Sequence, residues 1–370
     1  MAASSRPVTV VLGTRPEAIK LAPVVIELRR RGIDTFLLST GQHQEMAGAA
    51  LALFDLAPDE DLALMRQHAN LSQLLGLVIT EVARVFTRLH PRSVIVQGDT
   101  STTLGAALAA FHARIPIAHV EAGLRSHDLG MPFPEELNRR ATSAAAHWHF
   151  APTARAAENL AAEGVTTGIT ITGNTVVDAV RHISAGQPDL PADLAGVLGS
   201  GPYIVATAHR RESWKGGIES ICLAIRQVLD ELPDHRVVFA THPNPRAREP
   251  VIRVLGDHPR VSLVEPIGYG SFLRLLAGAR LIISDSGGIQ EEGPTLGVPV
   301  LVTRDVTERA EGIEAGAVRL VGTRRERITA EAIAILRDPV LHAQMAGAGR
   351  LAYGDGEASR RIVEVLEADG

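Results

Sequence analysis

The chain has 370 residues, of which 45% are apolar and 21% charged, and a formal net charge of −5. That length is enough for roughly two or three domains with proper cores, and the apolar share excludes a disordered chain. The small net charge, with Lys and Arg spread along the sequence, excludes nucleic acid or an acidic membrane as the main partner. A single cysteine, Cys222, excludes an intrachain disulfide framework and points to a reducing compartment. It sits in a helical stretch, where a small buried apolar side chain is the expected reading. No apolar run approaches the roughly 18–20 residues that span a bilayer. The opening MAASSRPVTVVLG lacks a signal-peptide pattern, so a cytoplasmic location is expected.

Val8 to Leu12 is a continuous apolar run, as in a strand buried on both faces of a parallel sheet. It ends in Gly13-Thr14-Arg15-Pro16-Glu17, with Pro16 suited to the first turn of a helix that runs to about Arg31. Arg15 then stands at a helix start beside a glycine turn, with Lys20 one turn inside. A strand at 35–39, a polar Gly41-Gln42-His43 turn and a helix from about Glu45 follow. Residues 55–70 read as an acidic loop and 71–89 as a long helix. Ser93 to Val96 is the next strand, ending in Gly98-Asp99-Thr100, before an Ala-rich helix to Ala113. The strand 116–120 ends in Glu121, and Pro132 to Arg140 opens a helix with two prolines and the acids Glu135 and Glu136. Strands at 148–151 and 169–172 close this half. Gln187 to Pro202, rich in Pro, Gly, Asp and Ala, is the expected interdomain connection.

The alternation then restarts, with strands at 203–207, 236–240 and 261–264 that lead into His209, His242 and Gly268. In LIISDSGGIQEEGPTLGVPVL (281–301), a strand ends in Ser284 and Asp285, and Ser286-Gly287-Gly288 opens a short helix. Two glycines and a serine there let the backbone approach a ligand and present N–H groups to an anion, most naturally a diphosphate. Glu291 and Glu292, one turn on, suit the hydroxyl donors of a ribose. The alternative is an ordinary strand-to-helix turn with a solvated acidic face. Strands at 298–302 and 318–321, and a final helix at 359–368, complete the chain.

Strand and helix alternating in both halves predict an α/β protein with two doubly wound, Rossmann-like domains facing across a cleft. Ligands of such sheets lie outside the carboxyl ends of the strands, where Arg15, Asp99, Glu121, His209, His242, Ser286 and Arg309 fall. No GxGxxG follows a strand and no GxxxxGK[ST] occurs, so neither a dinucleotide fingerprint nor a P-loop is present. Asp99, Glu121 and Glu135 would share a partly desolvated cleft, and such crowding raises a carboxyl pKa and makes a proton donor. Structural ion pairs with Arg125, Arg139 or Arg140 are the alternative. His209 and His242 could protonate or hydrogen-bond a departing phosphate, or be plain turn residues. His147 and His149 have metal-like spacing but no third ligand nearby, so no metal site is expected.

GTRPEAIKLAPV (13–24), QGDTSTT (97–103), HVEAGLRS (119–126), PFPEELNR (132–139), GNTVVDA (173–179), AHRRES (208–213), SDSGGIQEE (284–292) and RDVTERAEG (304–312) closely resemble the UDP-N-acetylglucosamine 2-epimerase family, non-hydrolysing bacterial type. The resemblance implies a glycosyltransferase-B type fold. Residues 1–180 would carry the catalytic carboxylates and 181–356 would bind UDP, with the C-terminal helix 357–370 packed back on the first domain. It also implies a homodimer, no cofactor, and reversible conversion of UDP-GlcNAc to UDP-ManNAc through elimination of UDP to 2-acetamidoglucal and re-addition. Carried over by motif, Asp99, Glu121, Glu135 and His209 look catalytic. Arg15, Lys20, His209, His242, Phe272, Ser286, Gly287, Gly288, Glu292 and Arg309 look like UDP-sugar contacts. A hydrolysing relative that releases ManNAc and UDP, a glycosyltransferase of the same fold, and a non-catalytic UDP-sugar sensor are the other readings.

Two departures from the family pattern stand out. Ile267 occupies a position that is polar in several members, which implies that the uracil near Phe272 is recognised through backbone groups. Many bacterial members bind a second UDP-GlcNAc through a QHRxM-type turn and a loop arginine. Here the turn is Gln42-His43-Gln44-Glu45-Met46 and His68 stands about where that arginine would be, so weak or absent activation by substrate is expected.

Overall fold

The computed structural model describes residues 6–65, 70–192, 194, 196, 201–307 and 309–368. His68 lies outside the described residues. The chain divides into two compact units, Met1–His182 with Gly354–Gly370, and Ile183–Tyr353.

In the first unit, β1 (Val8–Leu12), β2 (Thr35–Ser39), β3 (Glu60–Asp61), β4 (Ser93–Gln97), β5 (Ile117–Val120), β6 (Trp148–Ala151) and β7 (Ile169–Ile171) form a parallel sheet in the order β3-β2-β1-β4-β5-β6-β7. Helices α1 (Arg15–Arg30), α2 (Gln44–Ala52), α3 (Leu71–Leu89), α4 (Ser101–His112), α5 (Glu135–Ala145), α6 (Ala154–Ala162) and α7 (Thr175–Ala185) alternate with the strands. Every residue of β1 and β4 is buried, because helices cover both faces of the sheet. β1 pairs with β2 from Val8↔Thr35 to Leu12↔Ser39, and with β4 from Val8↔Ser93 to Val10↔Ile95. The stretch 55–70, expected to be loop throughout, contributes the edge strand β3, which pairs Glu60 with Leu38 and Asp61 with Ser39. It is held there by Asp59, whose carboxylate accepts the Leu37 N–H at 2.7 Å. Two charged residues at a sheet edge carry no apolar periodicity to read.

Helices α3 and α4 bring Val78, Val82 and Phe86 onto Ala106, Ala107 and Ala110. The approach is so close that a Cβ on Gly105 would lie 2.5 Å from Val78 Cγ1, which explains the small residues of α4. The C-terminal helix α15 (Ala358–Ala368) belongs to this unit. Its start is tied to α7 by Asp178, whose carboxylate accepts Ser359 N at 2.9 Å and Ser359 Oγ at 2.6 Å.

In the second unit, β8 (Tyr203–Thr207), β9 (Arg236–Ala240), β10 (Val261–Val264), β11 (Leu281–Ser284), β12 (Val300–Val302) and β13 (Val318–Leu320) form a parallel sheet in the order β10-β9-β8-β11-β12-β13. A 3₁₀ turn, Arg211–Trp214, precedes α8 (Gly217–Glu231). Then come α9 (Pro245–Leu255), α10 (Tyr269–Ala277), α11 (Ile289–Thr295), α12 (Ala310–Glu314), α13 (Arg325–Arg337) and α14 (Pro339–Gly349). Ile204, Ile221, Ile225, Phe239, Ile283, Leu301 and Ile328 make the core together with Cys222, whose thiol burial pushes up to about 12. It is a packing residue.

Each sheet reverses its strand order once, between β1 and β4 in the first and between β8 and β11 in the second. The turns leaving those neighbouring strands diverge and leave a crevice at their carboxyl ends, the usual ligand position of such sheets. No helix among the described residues is long and apolar enough to cross a membrane.

Candidate active site

At the first reversal, the β1–α1 turn packs so tightly that a Cβ on Gly13 would stand 2.2 Å from Thr40 Oγ1 and 2.4 Å from Thr102 Oγ1. Only glycine fits. Arg15, the first residue of α1, is exposed at this corner, and its charge joins burial in lowering the pKa of His43. Beneath it Glu17 accepts the N–H groups of Gly13 and Thr14 at 2.8 and 2.7 Å and the hydroxyls of Thr100 and Thr103 at 2.5 and 3.0 Å. One buried carboxylate thus fastens the turn after β1 to the turn after β4. Burial pushes its pKa up, against the pull of those hydrogen bonds. Glu17 was not among the candidates, although Thr14-x-x-Glu17 is a capping-box spacing that could have drawn attention to it.

Two of the three candidate carboxylates face a cation. Glu121 follows β5 with a left-handed backbone, φ 63°, uncommon for a residue with a Cβ, and is 8% exposed. Its two oxygens take the Lys20 ammonium at 2.8 and 2.7 Å, and Gln97 at the end of β4 donates its side-chain amide as well. Asp99 pairs with Arg139 of α5, and its carbonyl accepts Asn138 Nδ2 at 2.8 Å. The ion-pair alternative therefore holds for Asp99 through Arg139, whereas Arg125 and Arg140 pair with Glu163 at 2.7 and 3.1 Å. Glu135 is the half-buried first residue of α5, one turn before Asn138 and Arg139. Its neighbour Glu136 is buried, where it accepts the N–H groups of Ser126 and His127 at 3.0 and 3.3 Å and fixes the loop that precedes the helix. Below, His119 Nε2 lies 2.8 Å from the Gly98 carbonyl, and burial first of all holds its pKa down to about 3, so the ring is neutral and donates from Nε2. His149 is held down to about 4, also chiefly by burial. Among the described residues no group of three or more His, Cys, Asp or Glu is arranged to hold a metal ion.

At the second reversal, Asp285 ends β11 fully buried and accepts the N–H groups of His209 and Arg210, both at 2.8 Å. His209 Nδ1 lies 3.2 Å from the other oxygen of that carboxylate. The His209 ring stacks on His242 with centroids 5.6 Å apart, and His242 Nδ1 accepts the Asn244 N–H at 3.1 Å. Ser286 N–H is satisfied by Ser284 Oγ at 3.0 Å, which sets the Ser286-Gly287-Gly288 turn. A Cβ on Gly287 would lie 2.9 Å from Arg309 Nη1, so the glycine lets that guanidinium lie along the turn. Arg309 Nε donates to buried Glu291 at 2.7 Å, and Glu292 accepts the Tyr269 hydroxyl at 2.8 Å. Phe272, half-buried, is one turn after Tyr269 on α10. Gln97, Asp285 and Tyr269 were not among the sequence candidates. Each lies at a strand or helix end beside one that was.

The family model for UDP-N-acetylglucosamine 2-epimerase matches residues 26–367. A Ralstonia solanacearum protein named probable UDP-N-acetylglucosamine 2-epimerase is 44% identical over 370 residues, covering 98% of both chains. The UDP-N-acetylglucosamine 2-epimerase of Bacillus subtilis is 44% identical over 361 residues, 97% of this chain and 94% of that one. The crystal structure of the Neisseria meningitidis UDP-GlcNAc 2-epimerase, solved bound to UDP-GlcNAc, superimposes with a TM-score of 0.89 at 40% identity, over 98% of this chain and all of that one. The two Rossmann-like halves are those of the glycosyltransferase-B type, as expected. A family model spanning most of the chain, joined to relatives of this identity and coverage, places the chain in the UDP-N-acetylglucosamine 2-epimerase family.

Proposed function

We propose that the chain interconverts UDP-N-acetylglucosamine and UDP-N-acetylmannosamine by eliminating UDP and adding it back, without hydrolysis. The observation that carries this reading is Glu121, a buried carboxylate on a left-handed backbone, gripped by Lys20 and Gln97 at the carboxyl end of β5. A carboxylate so placed and charged is suited to proton transfer rather than to solvation. In the forward direction a carboxylate removes the C2 proton and the C–H electron pair becomes the C1=C2 bond of 2-acetamidoglucal. The C1–O bond breaks with its pair going to UDP. In the return step a carboxyl delivers a proton to the opposite face of C2, and a β-phosphate oxygen bonds to C1. No carbonyl acidifies the C2–H, so departure of UDP supplies most of the driving force. Asp99, Glu121 and Glu135 are the groups for the proton. His209, His242, Ser286, Gly287, Gly288 and Arg309 are the groups for the diphosphate, with Arg15 and Lys20 adding positive charge, and Glu292 and Phe272 serve the nucleoside.

Incubation with UDP-GlcNAc in D2O, followed by NMR, tests the proposal. Deuterium at C2 of both UDP-sugars is the expected result. Free ManNAc in place of UDP-ManNAc would make the enzyme a hydrolase, and retention of protium at C2 would remove the elimination step. Light scattering tests the homodimer that the resemblance implies.

A further inference from the structure

We infer that Asp285 is a positioning residue that sets the tautomer of His209, holding the Nδ1 proton so that Nε2 is the nitrogen that takes up a second proton and donates it to the leaving diphosphate. The inference rests on the proposed reaction for its catalytic meaning, but its structural core stands on the second unit alone. Asp285 is 0% exposed and its two oxygens are differently engaged. Oδ2 accepts two backbone N–H groups, from His209 and Arg210, each at 2.8 Å. Oδ1 is buried with no well-formed hydrogen bond among the described residues, and it faces His209 Nδ1 at 3.2 Å. A buried carboxylate oxygen left without a donor is costly, so the proton of a neutral imidazole resides on Nδ1, where it meets Oδ1. The backbone is fixed on both sides: the two N–H bonds hold the carboxylate, and Trp214 Nε1 donates to the His209 carbonyl at 3.1 Å. His242, stacked at 5.6 Å, is held in the opposite tautomer, because its Nδ1 accepts the Asn244 N–H.

The same geometry dictates what Asp285→Asn does. The two backbone donors demand an oxygen at the Oδ2 position, so the side-chain amide takes its NH2 group to the Oδ1 position and aims a donor at His209 Nδ1. That forces the proton onto Nε2 and leaves Nδ1 accepting from the amide, so the ring cannot take a second proton and act as an imidazolium, while the backbone hydrogen bonds survive. Mis-set tautomers in comparable carboxylate–histidine pairs lower turnover by about 10⁴-fold. Here a loss on the order of 10²-fold or more in kcat is expected, with KM changed less than about threefold.

The test is 15N NMR of histidine-labelled protein, with His209 assigned by His209→Asn. The wild type should show His209 protonated at Nδ1, and D285N should show it protonated at Nε2 with an unchanged circular dichroism spectrum. A neutral wild-type His209 protonated at Nε2 overturns the inference, and needs no variant, so the test survives a D285N protein that fails to fold. An equal loss of kcat in D285N without a tautomer change also overturns it. A tautomer that switches as expected in D285N, beside a wild-type protein that exchanges no C2 deuterium, would instead sink the proposed reaction and leave the positioning of His209 intact.

Discussion

Removing the ammonium from Lys20 strands a buried charge in the first unit. The two side chains of the Lys20–Glu121 pair are 8% and 6% exposed and meet through contacts of 2.8 and 2.7 Å. In Lys20→Met a carboxylate remains in that buried site with the amide of Gln97 still donating to it. Taking one partner from a buried pair costs about 3–5 kcal/mol, because the remaining charge keeps its desolvation penalty. For a unit of about 200 residues this is a fall in Tm of roughly 6–20 °C. Neutralising both partners, in Lys20→Met/Glu121→Gln, removes the stranded charge and should recover on the order of 2 kcal/mol relative to additivity. The assay is calorimetry and urea unfolding of wild type, both single variants and the double variant, with the transition of the first unit followed separately. A single-variant cost below about 1 kcal/mol, or a cycle with no coupling, would mean that Lys20 does not hold Glu121 in solution.

Three other outcomes follow from the same structure. His119 and His149 have folded pKa values near 3 and 4, below the model value of 6.5, so the unfolded chain binds more protons; stability is full above pH 6.5 and is lost on acidification, by about 3 kcal/mol per histidine at pH 4.5. Urea titrations at pH 7.0, 5.5 and 4.5 check this, and His119→Gln should flatten the dependence. Asp178→Ala deprives the start of α15 of the bonds to Ser359, so a loss of about 2 kcal/mol and early trypsin cleavage near Arg360 and Arg361 are expected; calorimetry and timed digestion read both. Finally, Gln42-His43-Gln44-Glu45-Met46, which spans the turn before α2 and the first turn of that helix, should give a hyperbolic dependence of rate on UDP-GlcNAc, and strong sigmoidality in steady-state kinetics would show that activation by substrate persists.

The strands were legible because parallel sheets bury both faces: Val8 to Leu12 and Leu281 to Ile283 announce themselves as unbroken apolar runs, and the residues that end them mark the crevice. The edge strand β3 was not legible, since Glu60 and Asp61 have neither apolar period nor β propensity and owe their place to Asp59. The candidate residues were recognisable by type, and Arg139 was among the arginines expected as partners, but which acid meets which cation was not legible. Asp99, Glu121 and Glu135 read as a crowd of like charges. Folding gives Asp99 the guanidinium of Arg139, 40 residues later in the chain, and Glu121 the ammonium of Lys20, 101 residues earlier. Pairings over such separations leave no local pattern. Asp285 was passed over for the same reason, because the atoms it holds belong to His209 and Arg210, on a different strand's turn.

That difference bears on the proposed inversion at C2. In the proposed reaction a base on one face of C2 removes the proton and an acid on the other face supplies one, and the two exchange roles when the direction reverses. Asp99 and Glu121 follow adjacent parallel strands, β4 and β5, yet each is charged by a cation from a different helix, Arg139 from α5 and Lys20 from α1. Each carboxylate thus has a support of its own. The left-handed backbone at Glu121 supplies the remaining degree of freedom, turning the side chain away from the course set by β5 and onto Lys20. For the proposed inversion these are two separately supported carboxylates, and they follow the neighbouring strands β4 and β5 beside the sheet reversal between β1 and β4.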